Sequence, residues 1–323
     1  MRVLITAPYN ESGRKFIADN IGEVIYEPWK KNSRAYNEQE LITLLASSQA
    51  DALITEHDHV TENVIAVNNH LRFIGVCRGT PSNVSVATAE KFSIPVFHTP
   101  ARNAQAVAEL WIANLICFMR KVIPSVDWLK SKNWGEGAHT SYLQFKGNEL
   151  ANKTVGMVGF GAVGVRIAEM LKPFPCPIKF YDPFVENHNA DYQKVSLEAI
   201  FNDCDIVSVH LPVNTNTIGM INANLLNSMR SDAIFVNTAR ASVVDRNALI
   251  DVVLNQKIKG AILDVFDHEP PDELDYQLIN APNVLATPHT AGATFEVEDH
   301  HVEILNKQLL TWKQEMQPLK SEV

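Results

Sequence analysis

Short apolar runs separated by helical patterns recur along almost the whole chain. Val3-Leu4-Ile5, Val24-Ile25-Tyr26, Ala52-Leu53-Ile54, Phe73-Ile74-Gly75-Val76 and Ile94-Pro95-Val96-Phe97 read as strands. Asn37 followed by Glu38-Gln39-Glu40 has the spacing of a capping box, and a further helix starts at Thr61. Such alternation predicts a parallel sheet with covering helices. Pro100-Ala101-Arg102-Asn103 breaks the series and leads into a long helix from Ala104 towards Lys121. The stretch from Pro124 to Lys146 has no clear period and is expected to be irregular. From Lys153 the alternation resumes through Thr154–Val158, Ile178–Tyr181, Asp205–Val209, Ala233–Val236, Gly260–Leu263 and Val284–Ala286. A helical tail follows from near Phe295. The expected fold class is α/β, with two doubly wound, Rossmann-like parallel-sheet domains. The pattern does not reveal strand order.

The length of 323 residues agrees with two domains, and 46% apolar residues suffice for two cores. No run is long or apolar enough to span a membrane, and Met1-Arg2-Val3-Leu4 enters a strand without a signal-peptide pattern. Cys77, Cys117, Cys176 and Cys204 are widely spaced, which suits reduced thiols in a cytoplasmic protein better than a disulfide or zinc framework. The net charge of −9, with no basic block, argues against a nucleic-acid partner.

One stretch carries chemistry by its context. Gly159-Phe160-Gly161-Ala162-Val163-Gly164 follows an apolar run and opens onto Val165–Leu171, which has helical periodicity. Strand, glycine turn and helix together make G-x-G-x-x-G a dinucleotide signature. The first Gly permits the turn, the second admits a pyrophosphate, and the third lets helix and strand pack. The helix N-terminus offers unpaired N–H groups to the phosphates. Asp182 ends the next strand, about 20 residues on, where a ribose-binding carboxylate belongs. It would repel a 2′-phosphate, and Pro183-Phe184-Val185-Glu186 offer no compensating cation, so NAD is expected over NADP.

Three further residues follow strand runs in the same half: Arg240, Glu269 and His289. Ligands of open α/β sheets lie outside the carboxyl ends of the strands, so these three can converge. They are the set needed for hydride transfer to a 2-keto acid. A cation binds the carboxylate and polarises the carbonyl, an imidazolium gives the proton, and a carboxylate keeps the imidazole oriented and charged.

With these segments the sequence resembles the D-isomer-specific 2-hydroxyacid dehydrogenases, the family of phosphoglycerate dehydrogenase and glyoxylate/hydroxypyruvate reductase. The matching segments are Gly159–Gly164, His210-Leu211-Pro212, Asn237-Thr238-Ala239-Arg240, Asp264-Val265-Phe266 with Glu269-Pro270, and Thr287–Gly292. The resemblance implies an NAD-dependent interconversion of a 2-keto acid and a D-2-hydroxy acid. It makes Arg240, Glu269 and His289 the catalytic three, with His289 as proton donor in reduction. Gly159, Gly161, Ala162, Val163, Gly164, Asp182, His210, Leu211, Pro212, Thr217, Thr238, Ala239, Arg240, Asp264, His289 and Gly292 would line the cofactor, with Asp264 on the nicotinamide carboxamide. Arg78, Gly79 and Thr80 would hold the substrate with Arg240 and His289. The tail helix would return to the first domain, giving a substrate-binding domain of 1–101 plus 293–323 and an NAD-binding domain of 102–292. A homodimer is expected, with Trp128 and Trp134 packing in its arm.

Departures and competing readings remain. Arg78 stands where the family has a small residue, Ser82 where it has Asp, Ala241 where Gly follows the catalytic Arg, and Asn152 where Gly precedes the strand. Arg78 could point inward and select a second anionic group, or turn outward. His210 could contact the cofactor or be a satisfied structural histidine. His300 and His301 read as interface or surface residues. His57 and His59 lack a further ligand at zinc-site spacing, so no metal is expected. The alternative class is a regulatory NAD(H)-binding protein similar to C-terminal-binding corepressors. Those carry extended tails whereas this chain stops at Val323, so an enzyme is expected.

Overall fold

Each apolar run of the first hundred residues becomes a strand: β1 (Arg2–Ile5), β2 (Glu23–Tyr26), β3 (Ala52–Thr55), β4 (Ile74–Val76) and β5 (Val96–His98). They pair in parallel in the order β2-β1-β3-β4-β5. Successive side chains face opposite sides of a strand. Leu4, Leu53 and Ile74 therefore pack with Leu41, Leu45, Val64 and Ile65 of the helices Glu38–Ser48 and Glu62–Val67. Val3, Ile5 and Ile54 face the other way, onto Ile17 of the helix Glu11–Asn20 and onto Val302, Leu305 and Leu309 of the tail helix Phe295–Glu315. The Asn37 capping box forms with Glu40, and Thr61 caps its helix by accepting from the Val64 N–H.

The computed structural model describes residues 1–135, 137, 139–186 and 191–316. The chain forms two compact units, Met1–Asn103 with Ala293–Val323, and Ala104–Gly292.

The second unit holds β6 (Val155–Val158), β7 (Ile178–Tyr181), β8 (Tyr192–Lys194), β9 (Ile206–Val209), β10 (Ile234–Asn237), β11 (Gly260–Leu263) and β12 (Val284–Ala286). All are parallel, in the order β12-β11-β10-β9-β6-β7-β8. Every residue of β6, β9, β10 and β11 is buried, because helices cover both faces. Trp111 and Leu115 of Ala104–Met119 and Ile167 of Ala162–Met170 pack with Met157, Ile206 and Val236 on one face. Phe201, Val252 and Leu278 pack with Val158, Val207 and Phe235 on the other. Strand order reverses between β6 and β9, which opens a crevice at their carboxyl ends.

Two expectations need correction. The stretch 124–146 is not irregular: it holds the end of a helix Val122–Lys130 and the helix His139–Phe145. Neither buries a residue, so no apolar stripe marks them. His301 is neither a surface nor an interface residue. It is fully buried, with Nε2 on the Pro8 carbonyl at 2.7 Å and Nδ1 beside Arg102 at 3.0 Å. Burial lowers its pKa, so the ring is neutral. Among the described residues no helix is long and apolar enough to cross a membrane.

Candidate active site

The glycine turn sits at the reversal point of the second sheet. Gly159 has φ 92°, a region that L side chains rarely adopt. Gly161 is the N-cap of the helix Ala162–Met170 and has no side-chain cap, so the first N–H groups of the helix have no partner within the turn. A Cβ on Gly161 would meet nothing within 4 Å, whereas one on Gly164 would lie 2.8 Å from the Gly159 carbonyl oxygen. The second glycine thus leaves backbone open to a ligand, and the third lets the helix close on the turn. Asp182 fastens the end of β7 to this turn. Its Oδ2 accepts from the Phe160 N–H and its Oδ1 from the Phe184 N–H, both at 2.9 Å. Each oxygen keeps a lone pair for a ribose hydroxyl.

Across the crevice, His210 follows β9. Trp111 Nε1–H, which can only donate, gives its proton to Ser208 Oγ at 2.8 Å. Ser208 Oγ is in turn paired with His210 Nε2 at 2.9 Å. Burial pushes the imidazole down to about 4. Its Nδ1 has no partner among the described residues. Thr217 spends its hydroxyl on its own loop, donating to the Pro212 carbonyl at 2.6 Å and accepting from the Asn214 N–H at 2.9 Å. It shapes the Leu211–Pro212 segment. Thr238 Oγ1, at the end of β10, is buried and has no partner among the described residues. An orphaned buried hydroxyl and an open glycine N-cap, both at the carboxyl ends of strands, fit a dinucleotide.

The expected catalytic residues leave neighbouring strands. Arg240 follows β10, Glu269 lies beyond β11, and His289 follows β12; these strands are consecutive in the sheet. His289 Nδ1 is 2.7 Å from Glu269 Oε2, and Glu269 Oε1 accepts from the Phe266 N–H at 3.3 Å. A carboxylate can only accept, so Nδ1 carries the proton and Nε2 is left for chemistry. Both side chains are about two-fifths exposed, at 43% and 41%. A cavity of about 410 Å³ opens beside them, walled by Phe266, Pro270, Tyr276, Ile279 and Ala286. Arg240 is exposed, and its Nη1 donates to the Ala239 carbonyl at 2.6 Å. Sequence reasoning gave no separate role to Asn237, yet its side chain holds the Arg240 turn: Oδ1 accepts from the Ala239 N–H at 3.0 Å and Nδ2 donates to the Arg240 carbonyl at 2.9 Å. Asp264 is buried, and the loop after β12 donates to both of its oxygens. Gly292 closes that loop at the unit's end.

In the first unit, Arg78, Gly79 and Thr80 follow β4. The Arg78 N–H is taken by the Val76 carbonyl at 2.8 Å, whereas those of Gly79 and Thr80 have no partner among the described residues. The loop is pinned from β5 by the Thr99 N–H to the Arg78 carbonyl and by His98 Nδ1 against the Gly79 carbonyl. Arg78 Nη1 lies 3.5 Å from His57 Nδ1, and His57 Nε2 lies 3.6 Å from Glu56.

A doubly wound sheet with this crevice and a carboxylate-tethered histidine is the equipment of a nicotinamide-dependent oxidoreductase. Comparison with known proteins specifies which. The model of the D-isomer-specific 2-hydroxyacid dehydrogenase NAD-binding domain matches residues 112–291. YoaD of Bacillus subtilis, whose name gives it as a 2-hydroxyacid dehydrogenase, is 58% identical over 315 residues, 98% of this chain and 92% of its own. A hydroxypyruvate reductase of Thermotoga maritima is 31% identical over 274 residues, 84% of this chain and 87% of its own. Among solved structures, the TT0316 protein of Thermus thermophilus superposes with a TM-score of 0.83 at 26% identity, covering 99% of both chains. The chain belongs to the D-isomer-specific 2-hydroxyacid dehydrogenase family, and it is an NAD-dependent enzyme of that family.

Proposed function

We propose that the enzyme reduces a 2-keto acid to the D-2-hydroxy acid with His289 as the acid–base residue. The observation that carries this reading is the 2.7 Å pairing of His289 Nδ1 with Glu269, which turns Nε2 into the proton-transfer atom. When bound, NADH supplies the hydride that C2 of the keto acid receives. His289 Nε2–H gives a proton to the keto oxygen, and the Glu269 carboxylate holds the ring oriented for that transfer. Arg240 neutralises the substrate carboxylate and polarises the carbonyl, and Asn237 fixes the turn from which it acts. Within the first unit, the Gly79 and Thr80 N–H groups, without partners among the described residues, are donors suited to an anion. In the reverse direction, neutral His289 Nε2 accepts the hydroxyl proton.

On the cofactor side, the N–H groups of Ala162, Val163 and Gly164 take the pyrophosphate, Asp182 the ribose, and Thr238 Oγ1 and His210 Nδ1 the groups nearer the nicotinamide. A homodimer in the cytoplasm completes the reading. Ile123, Leu129, Trp134, Tyr142 and Leu143 stand exposed between 122 and 145, more apolar surface than a solvated segment carries. The four cysteines are free thiols, as a reducing compartment keeps them.

Steady-state turnover of a keto-acid panel with NADH tests the reading, together with His289→Gln. The variant should lose about 100-fold or more in kcat, the range of general acid catalysis. Wild-type turnover in that variant, or no turnover of any keto acid by the native enzyme, contradicts it.

A further inference from the structure

Arg246 opens the helix Arg246–Leu254, one short 3-10 turn (Ala241–Val243) beyond Arg240, and reaches across to the segment that follows β11. Three carboxylates of that segment surround its guanidinium. Nη2 donates to Asp272 Oδ1 and lies 3.0 Å from Asp275 Oδ1, and Nε lies 3.6 Å from Asp267 Oδ2. Asp275 is 1% exposed, and its Oδ2 accepts from the His268 and Asp272 N–H groups, both at 3.2 Å. Asp272 in turn caps the helix Glu273–Ile279, accepting from the Leu274 and Asp275 N–H groups. These contacts fall on both sides of Glu269. The hydrogen bond from Arg246 holds the Asp272 carboxyl well below the usual carboxylate range. The exposed His268 ring also comes within 3.0 Å of Asp272, but a guanidinium carries its charge at every pH of interest. Without it, three like charges would face one another, and the buried Asp275 would lose its ion pair.

We propose that Arg246 is a positioning residue for Glu269: by drawing Asp267, Asp272 and Asp275 together it closes the loop between them and so holds the Glu269 carboxylate against His289. The inference rests on the reading of His289 and Glu269 above. Apart from His289, the Glu269 carboxylate has the Phe266 N–H at 3.3 Å, longer than a good N–H···O bond and too weak to fix it alone. The loop must therefore be held by its ends, and Arg246 meets both of them. The same guanidinium joins the segment after β10, which carries Arg240, to the segment after β11, which carries Glu269.

Arg246→Met tests this in the full-length enzyme, since it keeps a long unbranched stem and removes the charge. The kcat for reduction should fall by about 10- to 100-fold, the penalty of a misplaced catalytic group. The KM for the keto acid and the NADH Kd should each stay within about threefold. Arg246→Lys should recover part of the loss, because an ammonium restores the charge but not the fork that meets three acids. A double-mutant cycle separates positioning from general damage. With Glu269→Ala already in place, Arg246→Met should cost less than about threefold further, as no carboxylate is left to misplace. An equal loss in both backgrounds overturns the proposal, because the network would then support the fold and not Glu269. Wild-type kcat in Arg246→Met overturns it too, as does a KM raised about tenfold with kcat kept, which would put the effect on Arg240. If the Met variant does not fold, Arg246→Lys takes its place in the cycle, with a loss of about 3- to 10-fold that vanishes in the Glu269→Ala background. Should Glu269→Ala alone keep the wild-type kcat, the underlying reading of the pair fails instead.

Discussion

Gly159 and His210 touch through their backbones: a Cβ placed on Gly159 would lie 2.8 Å from the His210 carbonyl oxygen. The loops after β6 and β9 thus meet at the point where strand order reverses. Any side chain there must push the two apart, and φ 92° makes the strain worse. Gly159→Ala should destabilise the protein by about 1–3 kcal/mol and weaken NADH binding about tenfold or more. Denaturant unfolding and NADH fluorescence titration check both. Wild-type values would mean that the two loops yield freely.

The Glu269–His289 pair predicts a loss of rate. The carboxylate at 2.7 Å from Nδ1 orients the ring and leaves Nε2 for proton transfer. Glu269→Gln removes the charge and nearly keeps the shape. It should lower kcat for reduction by about 10- to 100-fold and leave the NADH Kd within about threefold. Wild-type kcat in the variant would take Glu269 out of this role.

Asp182 predicts cofactor choice. Each of its oxygens is oriented by one backbone N–H and keeps room for a ribose hydroxyl, and Pro183 and Phe184 beside it carry no positive charge. A 2′-phosphate would meet the carboxylate directly. The kcat/KM for NADH should exceed that for NADPH by about 100-fold, or roughly 3 kcal/mol. Equal values would contradict the reading.

His210 predicts acid sensitivity. Its folded value is lowered from 6.5 to about 4 by burial. Between those pH values the unfolded chain binds a proton that the folded chain does not, so stability rises with pH through the window and is lost on acidification. The contribution is on the order of 1–3 kcal/mol. His210→Gln, which can still pair with Ser208 and does not titrate, should flatten this part of the stability–pH curve. An unchanged slope would assign the acid lability elsewhere.

The fold was legible where strands are buried on both faces, because β6, β9, β10 and β11 then read as unbroken apolar runs. Strand order was not, since it depends on which runs pair at a distance. β8 escaped notice because it is a short edge strand with one buried residue, Tyr192. The helices Val122–Lys130 and His139–Phe145 bury nothing and so lack a stripe. Of the site, the glycine turn and the pairing of Glu269 with His289 could be anticipated from strand ends and motif spacing. The duties of Thr217, Asn237 and Asp264 could not. Each depends on where one side-chain oxygen meets a particular backbone N–H or carbonyl, and neither period nor spacing encodes that.

The tail helix Phe295–Glu315 has a consequence for how the protein is made. It supplies Val302, Leu305 and Leu309 to the core of the first unit, and Gly75 lets it lie so close that a Cβ there would be 2.9 Å from Leu305. A ribosome therefore releases the whole of the second unit before it delivers the last piece of the first. Val3, Ile5 and Ile54 wait through that interval with Ile17 against their face but without Val302, Leu305 and Leu309, so that side of the sheet is only partly covered and open to other nascent chains. The core of the first unit is therefore complete only after every residue of the second has been made, so the unit begun first is the one finished last.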